Sequence, residues 1–309
     1  MSDAPYTGFF DLQVNGFAGV DFQQPDLDQA QLTRAVEGLW RHRTDRILFT
    51  LITDRIDSLC AKLAKVEKFR ATDPRIARMI VGYHIEGPYM SPKPGYHGAH
   101  DPALMKAPDI AEFERLQDAA NGQVRLITLA PEQPNSAEFI RHITQRGVVA
   151  SIGHSEADDR HIDEAIAAGL TMCTHLGNGI PVQLPRHDNV MQRLLARDEL
   201  YAAFIHDGIH IPARVLQNLV RAKPRDKVIF TTDCMAAGGA GPGRYRIGRF
   251  DVEVGADGVV REPGKPNFAG SSLDMARGAE NLRAFLGWND AEIHEACGPR
   301  VARSLGLRA

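Results

Sequence analysis

The stretch VVASIGHSEADDRHIDEAIAAGLTMCTH, residues 148–175, carries the fold in miniature. Residues 148–152 form a short apolar, β-branched run, and in residues 158–168 apolar side chains recur at three- and four-residue spacing. Residues 171–175 form a second short run. Gly169 suits the C-terminal cap of the intervening helix, and Gly147 the cap of the helix before it, because glycine enters the left-handed region without steric cost. The reading is strand, helix, strand. The same rhythm recurs outward in both directions, with further strands expected at 9–14, 46–51, 79–84, 124–129, 201–205 and 228–232. Helical periods lie between them at 27–43, 56–70, 110–120, 136–146 and 212–222, the last opening on Pro212, whose missing N–H suits a first turn. Eight strands alternating with helices predict an α/β protein, a (β/α)8 TIM barrel.

After the eighth strand the rhythm changes. Residues 244–260 alternate polar and apolar side chains around a turn-like Ala256-Asp257-Gly258, which predicts an inserted β-hairpin. Two closing helices are expected at 271–286 and 289–305. Two long loops rich in Gly and Pro, 84–108 and 233–243, stand out as functional candidates. One domain over 1–309 is the economical reading, with no linker, repeat or low-complexity tract.

Composition excludes several classes. Of 309 residues, 43% are hydrophobic and 24% charged, with 36 Lys+Arg against 39 Asp+Glu and a net charge of −3. This is the profile of a soluble globular chain, not of a disordered or collagenous one. A near-neutral balance gives no electrostatic reason to expect nucleic acid or an anionic membrane as partner. No apolar run approaches a membrane span, and the opening MSDAPYTGFF lacks the pattern of a signal peptide. The four cysteines, Cys60, Cys173, Cys234 and Cys297, form no CxxC pair. A cytoplasmic enzyme is expected, and its twelve histidines are the feature to explain.

The polar residues of interest follow the predicted strands: Gln13 and Asn15, His84 and Glu86, His154, His175, His206 and His210, and Asp233. In a barrel these ends meet at one mouth, where active sites of this fold are built. One histidine after a strand is more often a hydrogen-bonded structural residue. Five or more, with two carboxylates at the same end, point to a metal site. A Glu and two His suit one divalent ion such as zinc with an open position for water, whose pKa the ion lowers to about 7. Asp233 is placed to take and return a proton; the alternative for it is a turn residue leading into the glycine-rich loop.

These residues resemble, in order and over nearly the whole chain, the N-acetylglucosamine-6-phosphate deacetylase family of the amidohydrolase superfamily. The resemblance is carried by Gly8-Phe9-Phe10-Asp11-Leu12-Gln13-Val14-Asn15-Gly16, His84-Ile85-Glu86-Gly87-Pro88 and Gly98-Ala99-His100. It continues through Gly153-His154-Ser155, Thr174-His175-Leu176-Gly177-Asn178, Asp207-Gly208-Ile209-His210, Thr232-Asp233 and Gly270-Ser271-Ser272-Leu273. It implies Glu86, His154 and His175 as metal ligands, Asp233 as general base and acid, and His210 as the histidine at the substrate carbonyl. It further implies Asn178 and Gly179 on the sugar phosphate, and Phe268, Ala269 and Gly270 along the sugar pocket. Arg186 is implied to reach the phosphate in a neighbouring subunit, hence a homodimer. Ala99, His100, Gln13 and His206 complete the expected substrate side. For His206, sugar contact, support of a ligand histidine and no role stand equal, and a surface arginine is the alternative for Arg186.

The pattern departs from the family in two places. Gln13-Val14-Asn15 stands where many amidohydrolases carry His-x-His, and neutral amides are poor zinc ligands, so a single metal is expected. Zinc leads, with iron, cobalt or manganese also compatible. The sequence also has no room for the small β-sandwich domain usual in the family. The expected reaction is hydrolysis of the acetamide of an N-acetyl amino-sugar 6-phosphate, most simply N-acetylglucosamine-6-phosphate. The alternatives are another N-acyl sugar or small N-acyl compound and, from a different class, a non-catalytic sugar-phosphate-binding barrel.

Overall fold

The computed structural model describes residues 7–264 and 268–308. Eight parallel strands form one sheet: β1 (Phe9–Val14), β4 (Thr44–Ile52), β5 (Ile80–Glu86), β6 (Val124–Leu129), β7 (Val149–Ile152), β8 (Met172–Cys173), β9 (Tyr201–Ile205) and β10 (Val228–Thr231). Between β1 and β4 lie a two-stranded ribbon, β2 (Gly16–Phe17) and β3 (Val20–Asp21), and helix α1 (Gln29–Arg41). Helices α2 (Ile56–Thr72) and α3 (Pro74–Met79) precede β5, α4 (Ile110–Ala119) precedes β6, and α5 (Ser136–Gln145) precedes β7. Then α6 (Asp159–Ala168) precedes β8, α7 (Val190–Leu195) precedes β9, and α8 (Ala213–Ala222) precedes β10. This is the (β/α)8 barrel expected from the alternation.

The sheet closes between β1 and β10 with little ladder. A single bridge joins Val14 to Cys234, and the Asn15 N–H donates to the Cys234 carbonyl at 2.7 Å. The buried Asp11 carboxylate ties this seam, accepting from Thr231 Oγ1 at 2.6 Å, Thr232 Oγ1 at 2.5 Å and Thr232 N at 3.1 Å. Outward strand positions such as Ile47, Phe49, Ile85, Ile127 and Phe204 pack under the helices in the main core. Phe10, Leu12, Leu48, Leu126, Met172, Ala203 and Ile229 fill the barrel floor, sealed by Val301, Ala302 and Leu305.

The inserted strands are three: β11 (Gly243–Ile247), β12 (Phe250–Val254) and β13 (Val260–Arg261). The tight turn falls at Gly248-Arg249, where Gly248 has φ +59°, and Ala256-Asp257-Gly258 instead joins β12 to β13. The chain ends in α9 (Met275–Leu286), α10 (Asp290–Ala296) and α11 (Pro299–Ser304). The single closing helix expected over 289–305 is therefore two, broken at Gly298 and restarted by Pro299 at a first-turn position. Among the described residues no helix is long and apolar enough to cross a membrane.

Candidate active site

The C-terminal ends of the strands open on a cavity of about 500 Å³. Glu86 ends β5, while His154 and His175 each stand two residues past the end of their strand, β7 and β8. Asp233 follows β10. Their backbones are unusual: His154, His175 and Asp233 have φ of +53°, +27° and +51°. Left-handed backbone in a non-glycine residue costs about 1–3 kcal/mol and concentrates at functional sites. Three such residues facing one cavity are three turns bent to aim side chains inward.

Glu86, His154 and His175 are buried, and one potential ligand atom from each lies within 4.8 Å of the others. Glu86 Oε1 is 2.9 Å from His175 Nε2 and 3.4 Å from His154 Nε2. His154 Nδ1 donates to the Tyr96 carbonyl at 2.7 Å, which puts its proton on Nδ1 and leaves Nε2 as a lone pair turned toward the Glu86 carboxylate. Two electron-rich atoms facing one another are reconciled by a cation between them. The set fits a divalent ion, and the Tyr96 contact is the outer hydrogen bond that orients ligand histidines. Burial opposes ionisation of Glu86, but the surrounding histidines hold it well below the ordinary carboxylate range. Burial likewise opposes a charge on His175, and the Glu86 hydrogen bond and charge overcome it, raising that histidine.

His100 flanks the cluster, with Nε2 3.7 Å from Glu86 Oε2. Its Nδ1 accepts from the Thr53 N–H at 3.4 Å and lies 3.0 Å from Thr53 Oγ1. Burial pushes His100 down to about 3, so it is neutral at ordinary pH. Asp233 goes the other way. Burial, then the charge of Glu86, raise it to about 7, offset in part by His175, His210 and the 2.8 Å hydrogen bond from Asn15 Nδ2 to Oδ1. Its loop is pinned: the Asp233 carbonyl accepts from Ser271 N at 2.9 Å, and Ser271 Oγ donates to the Thr232 carbonyl at 2.6 Å.

Directly below lies a polar tier between the metal cluster and the apolar floor. His84 Nε2 is 2.7 Å from Thr128 Oγ1, which is 2.7 Å from Thr174 Oγ1, which is 2.6 Å from Ser151 Oγ. Thr50 Oγ1 stands 3.4 Å from His84 Nδ1 and accepts from Val14 N at 3.0 Å. These residues come from β4 to β7 and the end of β8, all fully or nearly fully buried. Burial holds His84 down near 4, so the tier is a neutral hydrogen-bond chain.

Of the residues singled out from sequence, Ala99, His100, Asn178, Gly179, His210, Phe268 and Gly270 line the cavity with Glu86, His154, His175 and Asp233. Ala269 is buried beside that lining rather than on it. Gln13 is fully buried beneath the mouth and outside the lining; β1 changes register between Asp11 and Val14, and Val14 packs in the outer core. His206 does not reach the cavity either. Its ring lies against Phe230, under Gly278 of α9, whose added Cβ would come 2.1 Å from His206 Nε2. Arg186 lies on the exposed stretch 185–188, outside the lining. Cys173 and Cys234 sit in the apolar core, as strand alternation predicts. Sequence reasoning placed Asn15 at the mouth but gave it no role; it both lines the cavity and holds Asp233. The same reasoning passed over Tyr96, whose contribution is a backbone carbonyl that no side-chain motif reveals.

No family model matches the chain. Comparison with individual proteins is more informative. The chain is 30% identical to the N-acetylglucosamine-6-phosphate deacetylase of Bacillus subtilis over 97% of its length and 75% of that protein. It is 29% identical to an N-acetylgalactosamine-6-phosphate deacetylase of Escherichia coli, over 97% of this chain and 77% of the relative. Among solved structures it superposes with a TM-score of 0.87 on a mutant N-acetyl-D-glucosamine-6-phosphate deacetylase from Mycobacterium smegmatis in complex with N-acetyl-D-glucosamine-6-phosphate. That match has 31% identity and covers 97% of this chain and 77% of the other.

Proposed function

Because this chain belongs to the N-acetylglucosamine-6-phosphate deacetylase family, we propose that it hydrolyses the acetamide of an N-acetyl amino-sugar 6-phosphate to acetate and the amino-sugar phosphate. The observation that carries the reading is the Glu86–His154–His175 cluster standing beside a half-buried Asp233 in one cavity. Glu86, His154 and His175 would hold one divalent ion, zinc by the nitrogen-and-oxygen donor set, with iron, cobalt or manganese compatible. When bound, such an ion supplies Lewis acidity, polarising oxygen atoms and easing loss of a proton from water.

The chain's own residues supply the rest. Asp233, raised to about 7, takes the proton of the attacking water and delivers it to the nitrogen as the C–N bond breaks. Asn15 occupies Oδ1, which leaves Oδ2 as the oxygen that carries the proton. His210 meets the acetyl oxygen as negative charge builds there. Asn178, Gly179, Ala99, His100, Phe268 and Gly270 form the sugar and phosphate side. Arg186, exposed at the rim, would reach the phosphate bound by a second copy in a homodimer, since a guanidinium fork matches a phosphate. A cytoplasmic setting belongs to the same proposal.

The test is acetate release by zinc-reconstituted protein from N-acetylglucosamine and N-acetylgalactosamine, each with and without the 6-phosphate. Turnover is expected with the phosphorylated sugars and should be much weaker without phosphate. No acetate from any of the four would overturn the proposal. A preference for the galactosamine epimer would move the reading toward the second kind of relative.

A further inference from the structure

The loop after β9 holds a second ordered pair of side chains. Asp207 Oδ1 accepts the backbone N–H groups of Ile209 and His210, both at 2.8 Å. Its other oxygen, Oδ2, stands 2.6 Å from His210 Nδ1. Both side chains are less than a tenth exposed. Gly208 allows the tight loop, with φ +77° and the Phe285 ring 2.8 Å from where a Cβ would be. Although burial opposes its ionisation, Asp207 is held below the ordinary carboxylate range by the His210 hydrogen bond. An ionised carboxylate only accepts, so the proton between the two belongs to His210 Nδ1.

We infer that Asp207 is a positioning residue that locks the proton of His210 onto Nδ1 and turns Nε2 to the ligand. Two consequences follow. In the neutral ring Nε2 is a lone pair and cannot donate to a carbonyl oxygen. For Nε2 to donate there, the ring must carry both protons, and the Asp207 carboxylate 2.6 Å from Nδ1 is the counter-charge placed beside it. Whatever Nε2 does at the ligand, the ring that presents it is aimed by the Asp207 contact at Nδ1. The charged groups facing it are Asp207 on its own loop and Asp233 from the end of β10. From the segment at 268–270 it meets the Phe268 ring, 4.9 Å between centroids. The oxyanion role rests on the proposed deacetylase reading; the proton placement does not.

Asp207→Asn separates these statements. The Ile209 and His210 N–H groups require an oxygen at the Oδ1 position, so the new amide must present its NH2 to His210 Nδ1. That nitrogen then needs a lone pair, and the ring proton moves to Nε2. In zinc-loaded, ¹⁵N-histidine-labelled protein, long-range NMR should report a protonated Nδ1 in the wild type and a protonated Nε2 in the variant, the His210 signals being assigned by their loss in His210→Gln. With zinc content unchanged, kcat should fall about 10-fold or more with little change in KM, because an Nε2–H on a ring backed by a neutral amide stabilises an oxyanion less than one backed by a carboxylate. A wild-type His210 bare at Nδ1 would overturn the inference, as would an Asp207→Asn protein with wild-type kcat. Should the protein release no acetate from any sugar, the deacetylase reading falls while the wild-type NMR result still decides what Asp207 does.

Discussion

The two sides of the cavity are built differently. The side carrying Glu86, His154 and His175 rises from strand ends, is buried, and stands on the tier of Thr50, His84, Thr128, Ser151 and Thr174. The adjoining rim, at 180–188, is a loop whose Val182 is fully exposed and whose Arg186 is exposed outside the lining. Reaction chemistry tolerates errors of well under 1 Å, so its groups belong on elements that cannot drift. Recognition of a flexible phosphorylated sugar tolerates more, and a loop can vary without disturbing the reacting atoms. The difference teaches where substitutions should abolish turnover and where they should only change affinity.

The largest effect is expected on the rigid side. Asp233→Asn keeps the shape and the hydrogen bond from Asn15 while removing the base, so kcat should drop about 1000-fold or more with metal content and ligand affinity retained. Single-turnover acetate release alongside metal analysis checks this. Near-normal turnover would remove Asp233 from the chemistry and break the contrast between the two sides. On the rim, Arg186→Ala should leave kcat nearly intact and raise KM for a phosphorylated sugar about 10- to 100-fold, the loss of about 1.5–3 kcal/mol expected for a charged hydrogen bond. An unphosphorylated sugar should be unaffected, and mixing this variant with a second, inactive one tests whether the arginine acts across subunits.

The strands were legible because each is a short apolar run between helical periods, and all eight were expected to within two residues at either end. The shortest of them is instructive. The run at 171–175 forms only the two-residue strand Met172–Cys173, because His175 leaves the sheet at φ +27° to turn toward Glu86. Function shortened the strand. The metal cluster and Asp233 were legible because barrel topology places all strand ends at one mouth. Gln13 and His206 lie outside the lining, which a position at a strand end does not by itself reveal. Past β9, His206 shares the outward side of Phe204 and packs on Phe230. Asp207 carried a usable signal, since an Asp three residues before a His, with an intervening Gly, is the spacing of a turn that caps its own loop. The polar tier was less visible, because single Thr and Ser residues inside strands look like ordinary β-formers.

That tier offers the smallest expected effect on chemistry and the sharpest test of why the metal side is rigid. Thr128→Val is nearly isosteric, yet it removes the hydroxyl that joins His84 Nε2 to Thr174 Oγ1. Both neighbours lose a partner in a place water does not reach, at a cost of about 1–3 kcal/mol in stability. Thr128→Ser restores the hydroxyl and should recover most of this, less the cost of one buried methyl. If the tier only stabilises the barrel, folded Thr128→Val protein should bind metal as wild type does. If it also fixes Thr174, and through it His175, the visible absorption of the cobalt-substituted variant should shift and its metal affinity fall by about 10-fold, within the range for lost outer hydrogen bonds at metal sites. Denaturant unfolding with cobalt spectra on the same samples separates these outcomes. An unchanged spectrum with reduced stability would mean that β5, β7 and β8 hold the ligands in place without help from below.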